Sequence, residues 1–234
     1  MVRQADLKKD RFYKRAKQEG YRSRSAFKLL QIVRKFGVLK KGDVVVDLGA
    51  APGGWSQVAA GVVGGGGRGR GRGVVVSVDL QPMEKIAGVV AVQSDLTNED
   101  ETVKVVKEVL LSRGKALVVD AVISDASPKL SGNRSYDQFR SLELSRSALK
   151  IASALLNPHG AEDQEGNFVA KIFQGAYYEQ FYGAVKERFR FARSFSPSAS
   201  RKRSAEIYVI GKGLKKENGS RRDKENGSRS EDKT

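Results

Sequence analysis

The chain of 234 residues contains no cysteine and a single histidine. The absence of cysteine excludes disulfides, thiolate nucleophiles and cysteine-ligated zinc or iron, and the single histidine disfavours a histidine-based metal site. His159, in the turn NPHG, is interpreted as a residue that contacts the last carbonyls of a helix and has no chemical role. Any chemistry is therefore expected to depend on Lys, Asp, Glu, Ser or Tyr side chains.

Long apolar runs are also missing. No stretch approaches the roughly 18 consecutive apolar residues of a membrane span, and the N-terminus MVRQADLKKD lacks the apolar segment of a secretory signal. We therefore expect a cytoplasmic protein. The hydrophobic fraction of 39% suffices for one ordinary core, so one domain with short tails is predicted.

Acidic residues are scarce relative to basic ones: 27 Asp and Glu against 43 Lys and Arg give a formal net charge of +16. A charge of this size indicates a polyanionic partner, and nucleic acid is favoured over an acidic membrane. We expect the protein to bind RNA and neither a membrane nor a metal, and to be a monomer.

Residues 1–41 carry most of the positive excess, with 14 Lys or Arg against 3 Asp or Glu. Aromatic residues alternate with the cations, and this mixture suits contact with RNA backbone and bases, although a simple solvated helical face is the alternative. We predict that this basic helical segment binds RNA. The candidate phosphate contacts are Lys14, Lys17, Arg22 and Arg24.

Beyond residue 41, apolar runs alternate with amphipathic helical patterns. The predicted strands are 44–49, 74–80, 88–96, 116–127, 167–174 and 206–213, and the predicted helices are 53–62, 99–112, 137–156 and 177–189. This βαβα order predicts an α/β fold with a doubly wound, mostly parallel sheet. RFRFARSFSP and SAEIYVIGKG are separated by too few residues for a crossover helix, so they are expected to pair as an antiparallel hairpin.

Two segments have irregular composition. Residues 64–73, GGGGRGRGRG, predict a flexible basic loop, and residues 214–234, which contain KENGS twice, predict a disordered charged tail. The α/β domain is accordingly expected to span residues 42–213.

The turn GAAPGG at residues 49–54 follows the first predicted strand. It matches neither G-x-G-x-x-G nor a phosphate loop, which disfavours a dinucleotide. Small residues still allow a ligand to approach the backbone, Pro52 suits the first turn of a helix, and a helix start offers unpaired N–H groups to a carboxylate. The turn therefore favours a ligand that carries an amino acid.

Aspartates recur near the ends of the first four predicted strands, at Asp47, Asp79, Asp95 and Asp125. The carboxyl ends of parallel strands meet at the crevice where open α/β sheets bind ligands. Each aspartate alone is more typical of a turn cap, but the set favours a nucleoside site, with Asp79 accepting from ribose hydroxyls and Asp95 from an adenine amino group. Trp55 either anchors the core or lines this pocket.

Six motifs occur in order: YRSRSAFKL, VVDLGAAPGGWSQ, VDLQPM, SDASPKLSG, FVAKIFQG and SRKRSAEIYVI. Their sequences and succession, from residue 21 to about residue 211, resemble the FtsJ/RrmJ family of ribosomal RNA 2′-O-methyltransferases. The resemblance implies a Rossmann-like, S-adenosylmethionine-dependent methyltransferase with a seven-stranded sheet whose last strand is antiparallel. It places cofactor contacts at Gly53, Trp55, Asp79, Asp95 and Asp125.

The same resemblance implies a catalytic tetrad of Lys28, Asp125, Lys171 and Glu206. It also implies transfer of a methyl group to a ribose 2′-hydroxyl, with a uridine of large-subunit ribosomal RNA as the expected acceptor and transfer RNA or a cap as the alternatives. Lys171 lies near the carboxyl end of the fifth predicted strand and Asp125 near that of the fourth, so neighbouring strands are expected to bring the two side chains within reach. Lys171 either removes the hydroxyl proton or orients the oxygen. A non-catalytic RNA-binding assembly factor is disfavoured by the complete tetrad, and a nucleotide-dependent oxidoreductase by the missing dinucleotide fingerprint.

Overall fold

A computed structural model describes residues 10–64, 73–115, 117, 119–157, 166–201 and 204–216. The predictions for His159, for most of the glycine and arginine loop and for the tail beyond residue 216 concern residues outside these ranges. No helix in the described ranges is both long and apolar enough to cross a membrane.

Seven strands form one sheet in the order β3-β2-β1-β4-β5-β7-β6. Neighbouring strands among β1 to β5 pair in parallel, whereas β7 is antiparallel to both β5 and β6. The predicted α/β class, the mostly parallel sheet and the final hairpin are confirmed. The strands are β1 (Val44–Leu48), β2 (Val74–Asp79), β3 (Val89–Gln93), β4 (Ala121–Ser124), β5 (Asn167–Phe173), β6 (Phe189–Phe195) and β7 (Glu206–Leu214).

Helices cover both faces of the sheet. They are α1 (Arg11–Gln18), α2 (Ala26–Phe36), α3 (Gly54–Val63), α4 (Glu99–Ser112), α5 (Arg134–Leu155) and α6 (Tyr178–Arg188). The core on one face unites side chains of α4, α5 and α6, and the core on the other face unites those of α2 and α3. Because both faces are covered, all five residues of β1 are buried, which accounts for its nearly continuous valine run.

The strand register sets the place of the site. Sheet order reverses on either side of β1, which pairs with β2 on one edge and β4 on the other, and such a reversal opens a crevice at the carboxyl ends of the strands. Ser124 pairs with Ala170, so Asp125 and Lys171 follow on adjacent strands. Lys171 in turn pairs with Tyr208 across β7. The carboxyl ends of β4 and β5 therefore bring chemically reactive side chains together.

We predict that Gly211→Ala destabilises the fold by about 1–3 kcal/mol, because a Cβ at this position on β7 would lie 2.6 Å from the ring of Phe189. That ring is buried and stacks on Phe168 with centroids 5.8 Å apart. Denaturant unfolding measures the loss. Gly183→Ala is the matched control: its Cβ meets nothing within 4 Å on α6, so helix propensity favours a gain of up to about 1 kcal/mol. Parental stability of Gly211→Ala would contradict this packing.

Candidate active site

Lys171 and Asp125 form a buried ion pair at the adjoining ends of β5 and β4. The ammonium Nζ of Lys171 lies 3.0 Å from Oδ1 of Asp125 and donates a hydrogen bond of 2.7 Å to the backbone carbonyl of Asp125. The Lys171 side chain is 6% exposed and that of Asp125 is 16% exposed. The sequence prediction that neighbouring strands bring these two side chains within reach is confirmed.

Tyr208 completes the surroundings of the Asp125 carboxylate. Its hydroxyl donates a hydrogen bond of 2.7 Å to Oδ1 of Asp125, and its ring packs on Trp55 with centroids 5.6 Å apart. Burial raises the pKa of the Tyr208 hydroxyl well above its ordinary value, and the nearby Asp125 and Glu206 carboxylates raise it further. The hydroxyl therefore stays protonated, and its hydrogen bond fixes the carboxylate in place.

Lys28 and Glu206 form a second ion pair beside the first. Nζ of Lys28, from α2, lies 2.6 Å from Oε1 of Glu206 at the start of β7. This oxygen is buried and has no hydrogen-bond partner of good geometry. The attraction between opposite charges, rather than a directional hydrogen bond, therefore holds the pair. The same Nζ lies 5.8 Å from the centre of the Tyr208 ring. All four residues of the predicted tetrad thus lie around Tyr208.

The two ammonium groups keep Asp125 ionised. Burial of its carboxyl group favours the neutral form, but the charges of Lys171 and Lys28 and the hydrogen bonds from Tyr208 and Lys171 outweigh burial, and the pKa of Asp125 lies below its ordinary value. A carboxylate fixed in this way holds the Lys171 ammonium in turn. Lys171 has three N–H donors and the Asp125 contacts occupy two, which leaves one for an oxygen of a substrate.

A cleft of about 560 Å³ opens beside this pair at the carboxyl ends of β1, β2 and β4. Asp79, Asp95 and Asp125 all line it, together with Gly49 and Ala51 of the turn. Three of the five predicted cofactor contacts therefore share one cavity. The other lining residues are Leu80, Gln81, Leu96, Ala126, Ser127, Pro128, Lys129, Tyr136, Arg140 and Leu144.

Asp79 and Asp95 shape the cleft as well as line it. Asp79 accepts hydrogen bonds from the backbone N–H of Ala51, at 2.9 Å, and of Gln81, at 2.8 Å, so it fastens the turn to β2. Asp95 accepts from the backbone N–H and hydroxyl of Thr97, and these two bonds lower its pKa. Carboxylate oxygens can accept more than one hydrogen bond each, so the role as a turn cap leaves room for a ligand.

The remaining predicted residues near the turn lie outside the cleft. Asp47 is the fourth residue of β1 and is wholly buried, where it accepts a hydrogen bond of 2.6 Å from the hydroxyl of Ser56. Burial raises the pKa of Asp47 to about 7, so it is a poor charged ligand at neutral pH. The structure supports a core position for Trp55, whose Nε1 donates to the carbonyl of Ser25. Gly53 precedes α3 and faces Arg22.

Arg22 fastens three segments to one another instead of projecting into solvent. Its guanidinium donates hydrogen bonds to the carbonyls of Pro52 at 3.2 Å, Glu84 at 2.9 Å and Lys85 at 2.9 Å. The first carbonyl belongs to the turn before α3, and the other two belong to the connection between β2 and β3. The predicted phosphate contact at Arg22 thus has a structural role that the sequence did not suggest.

Arg24 is likewise engaged within the protein, because its guanidinium pairs with Asp10 and donates to the carbonyl of Ala199. Lys14 and Lys17, by contrast, are exposed on α1, where the ammonium of Lys17 lies 5.3 Å from the centre of the Tyr13 ring. Among the four predicted RNA contacts, these two lysines remain accessible.

A second groove of about 940 Å³ runs along α3 and is lined by Arg22, Lys41, Gln57 and Lys85 among others. It contains none of the predicted catalytic or cofactor residues, so the smaller cleft is the candidate site. Within the described ranges, no group of three or more His, Cys, Asp or Glu side chains is placed to hold a metal ion.

Sequence reasoning missed Tyr208, Tyr136 and Arg140. Tyr208 carried a usable signal, because residues two apart on a strand face the same side and Tyr208 lies two positions beyond Glu206. Tyr136 and Arg140 carried none, since only the packing of α5 brings its first turns to the cleft.

Comparison with known proteins identifies the family and the fold. Residues 21–214 match the model of the FtsJ-like methyltransferase family. Two relatives, each named ribosomal RNA large subunit methyltransferase E, come from Methanococcoides burtonii, at 47% identity over 88% of this chain and 70% of the relative, and Archaeoglobus fulgidus, at 45% identity over 89% and 98%. A crystal structure of a candidate ribosomal RNA methyltransferase from Plasmodium falciparum shares the fold, with a TM-score of 0.68, 24% identity and coverage of 83% of this chain and 98% of that one.

We predict that Arg22→Ala loosens the turn at residues 49–53 and the connection at residues 80–88, because three carbonyls lose their shared donor. These bonds are partly exposed to solvent, so the expected loss of stability is modest, about 1–2 kcal/mol. Hydrogen exchange should speed up in both segments and stay parental in α5. Lys17→Ala, on an exposed site, is the control. Parental exchange in both segments of Arg22→Ala would refute this role.

Proposed function

Because the chain belongs to the FtsJ-like methyltransferase family, we propose that it transfers a methyl group from S-adenosylmethionine to a ribose 2′-hydroxyl of RNA. The observation that carries the proposal is the buried Lys171–Asp125 pair at the edge of a cleft that also contains Asp79 and Asp95. The names of the relatives support large-subunit ribosomal RNA as the substrate, and we take a uridine as the acceptor.

S-adenosylmethionine fits the cleft by its chemistry. Its ribose hydroxyls and adenine amino group are hydrogen-bond donors, and Asp79 and Asp95 offer acceptors at successive strand ends. Gly49 and Ala51 leave the backbone of the turn open to a ligand. We assign Gly53 and Trp55 the supporting task of packing the turn and α3 against the segment at residues 22–25.

Transfer requires the ribose oxygen to approach the methyl carbon in line with the breaking bond to sulfur. A C–O bond forms, the C–S bond breaks, the sulfonium becomes a neutral thioether, and the hydroxyl loses its proton. Lys171 either donates its remaining N–H to orient that oxygen, and the hydroxyl proton passes to water, or it first loses a proton to water and then accepts the hydroxyl proton on its lone pair. Asp125 and Tyr208 keep the amine in position, and the Lys28–Glu206 pair flanks the acceptor side.

RNA is held in addition by the basic N-terminal segment. Lys14 and Lys17 supply the accessible charges, and phosphate contacts of this kind make affinity fall as salt rises. Arg22 and Arg24 then act indirectly, by fixing the segment to the body of the protein.

The function is tested by incubating the protein with S-adenosylmethionine carrying a labelled methyl group and with transcribed large-subunit ribosomal RNA. We expect labelled RNA whose modified linkage resists alkali, because a 2′-O-methyl group blocks cleavage of the adjacent phosphodiester. Transfer RNA and capped RNA are parallel substrates. Label released in mononucleotides by alkali would indicate base methylation. No label on any RNA would favour a non-catalytic RNA-binding protein.

For the donor site, we predict that Asp79→Ala weakens binding of S-adenosylhomocysteine by roughly 10- to 100-fold, the effect of losing a partly buried acceptor worth about 1–3 kcal/mol. Calorimetry measures the change. Asp100→Ala, at a surface position in the first turn of α4, is the charge-matched control and should bind as the parent does. Parental affinity of Asp79→Ala would remove this residue from the site.

For catalysis, we predict that Lys171→Ala lowers single-turnover methyl transfer by roughly 100- to 10,000-fold, as expected for a group that acts on the transferring proton, while S-adenosylhomocysteine still binds. Lys171→Arg distinguishes the two roles, because a guanidinium stays charged and can orient an oxygen but cannot accept its proton. Substantial activity of the Arg variant indicates orientation, and its loss indicates proton removal. A parental rate in Lys171→Ala would refute the mechanism.

A further inference from the structure

Three exposed apolar or aromatic side chains lie close together in the sequence, on the segment that borders the cleft. The described residues include seven large apolar side chains that are strongly exposed, and three of them lie within ten positions of one another: Leu130 at 73%, Tyr136 at 54% and Phe139 at 43%. We call Tyr136 and Phe139, together with the neighbouring Leu130, the aromatic rim. It lies on the loop that follows Asp125 and on the first turns of α5, and Tyr136 itself lines the cleft.

The loop that carries the rim is held in place. The side chain of Asn133 accepts a hydrogen bond from the backbone N–H of Tyr136 and so caps α5. Asp137 accepts bonds of 2.8 Å from both the backbone N–H and the hydroxyl of Ser131, and these bonds lower its pKa. The ring of Phe139 meets Tyr177 edge-on with centroids 5.9 Å apart. The exposed side chains are thus presented by a fixed backbone.

The segment at residues 126–139 bears only basic charge at its surface, whereas Asp79 and Asp95 of the neighbouring cleft belong to other strand ends. Lys129 and Arg134 are exposed, and neither makes an ion pair with any described residue. The only acidic residue between 126 and 139 is Asp137, which is buried and occupied by Ser131. A surface that combines exposed aromatic rings with such cations complements a nucleic acid, because the phosphates are negatively charged and the bases have flat faces that stack.

The site itself requires such a surface. Lys171 is 7% exposed and pairs with the cleft-lining Asp125, and we infer that the nucleotide leaves its stack to bring its ribose hydroxyl to this amine. Removing a base from a stack costs free energy, and the bases on either side lose a stacking partner. Aromatic side chains replace such a partner for any base, because every base has a flat π face.

We propose that the aromatic rim stacks the unpaired bases next to the nucleotide whose ribose enters the cleft, with Lys129 and Arg134 holding the adjoining phosphates. This inference rests on the proposed function and adds a second RNA surface, distinct in position and physics from the basic segment on α1. That segment acts by charge, whereas the rim acts mainly by stacking.

The two surfaces predict different responses to salt. Stacking releases no counterions, so Phe139→Ala and Tyr136→Ala should each weaken binding of labelled single-stranded oligouridine by about 5- to 100-fold at every salt concentration, with a parental slope of log Kd against log salt. Lys14→Ala combined with Lys17→Ala should lower that slope. Fluorescence anisotropy across a potassium chloride series measures both effects.

Two controls accompany this measurement. Phe191→Ala removes a ring that is 40% exposed on the edge strand β6, away from the cleft, and should bind oligouridine as the parent does. Phe139→Tyr keeps a stacking face and should retain parental affinity. Because paired bases present no free face, a fully paired RNA duplex should bind Phe139→Ala and the parent equally. Circular dichroism and thermal unfolding verify that each variant is folded.

Turnover separates this inference from the proposed function. With large-subunit ribosomal RNA, Phe139→Ala should raise KM for RNA by about 5- to 100-fold while kcat and S-adenosylhomocysteine binding stay parental. If the parent methylates RNA and Phe139→Ala has parental oligouridine affinity and KM, the rim is not an RNA surface and a protein partner is the remaining occupant. If Tyr136→Ala weakens only S-adenosylhomocysteine binding, the rim assignment is wrong. A parent that methylates no RNA overturns the proposed function instead.

Discussion

The buried Lys171–Asp125 pair is the constraint on which the rest of the site depends. Burying two charges is costly, and the attraction between them offsets that cost only when further hydrogen bonds satisfy both groups. Here the carbonyl of Asp125 and the hydroxyl of Tyr208 provide these bonds. Tyr208 rests on Trp55, whose indole is held by the carbonyl of Ser25, so the pair depends on packing that extends across the sheet to the N-terminal segment.

That dependence joins the N-terminal segment to the Lys171–Asp125 pair. Lys28 enters the site from α2, and its charge helps to keep Asp125 ionised. Arg22, a few residues earlier, fastens the turn that borders the cleft. The segment therefore supplies a reactive group, stabilises the cleft and carries the accessible lysines of α1. Residues 20–28 thus link the exposed lysines of α1 to the turn that borders the cleft.

The two aspartates of the cleft show that one side chain can cap a turn and line a cavity at the same time. Asp79 and Asp95 each accept hydrogen bonds from the backbone two positions ahead, and this local bonding orients the carboxylate toward the carboxyl edge of the sheet. Asp47 shows the opposite outcome, since it lies within β1, is wholly buried, and accepts a hydrogen bond only at Oδ2, from Ser56. An aspartate at or beyond the end of its strand can therefore face the cleft, whereas an aspartate within the strand is buried.

The sequence by itself determined the order of strands and helices, the parallel sheet, the final hairpin and the meeting of Asp125 with Lys171, because hydrophobic periodicity and strand ends are local properties. It could not assign Arg22 and Arg24, since a cation in a basic run looks the same whether it contacts solvent, RNA or a carbonyl 30 to 60 residues away. Nor could it decide between the two interpretations of Trp55. Only tertiary packing decided those cases, and it also brought Tyr136 and Arg140 to the cleft, because the direction of α5 follows from the burial of its opposite face rather than from the sequence of its first turns.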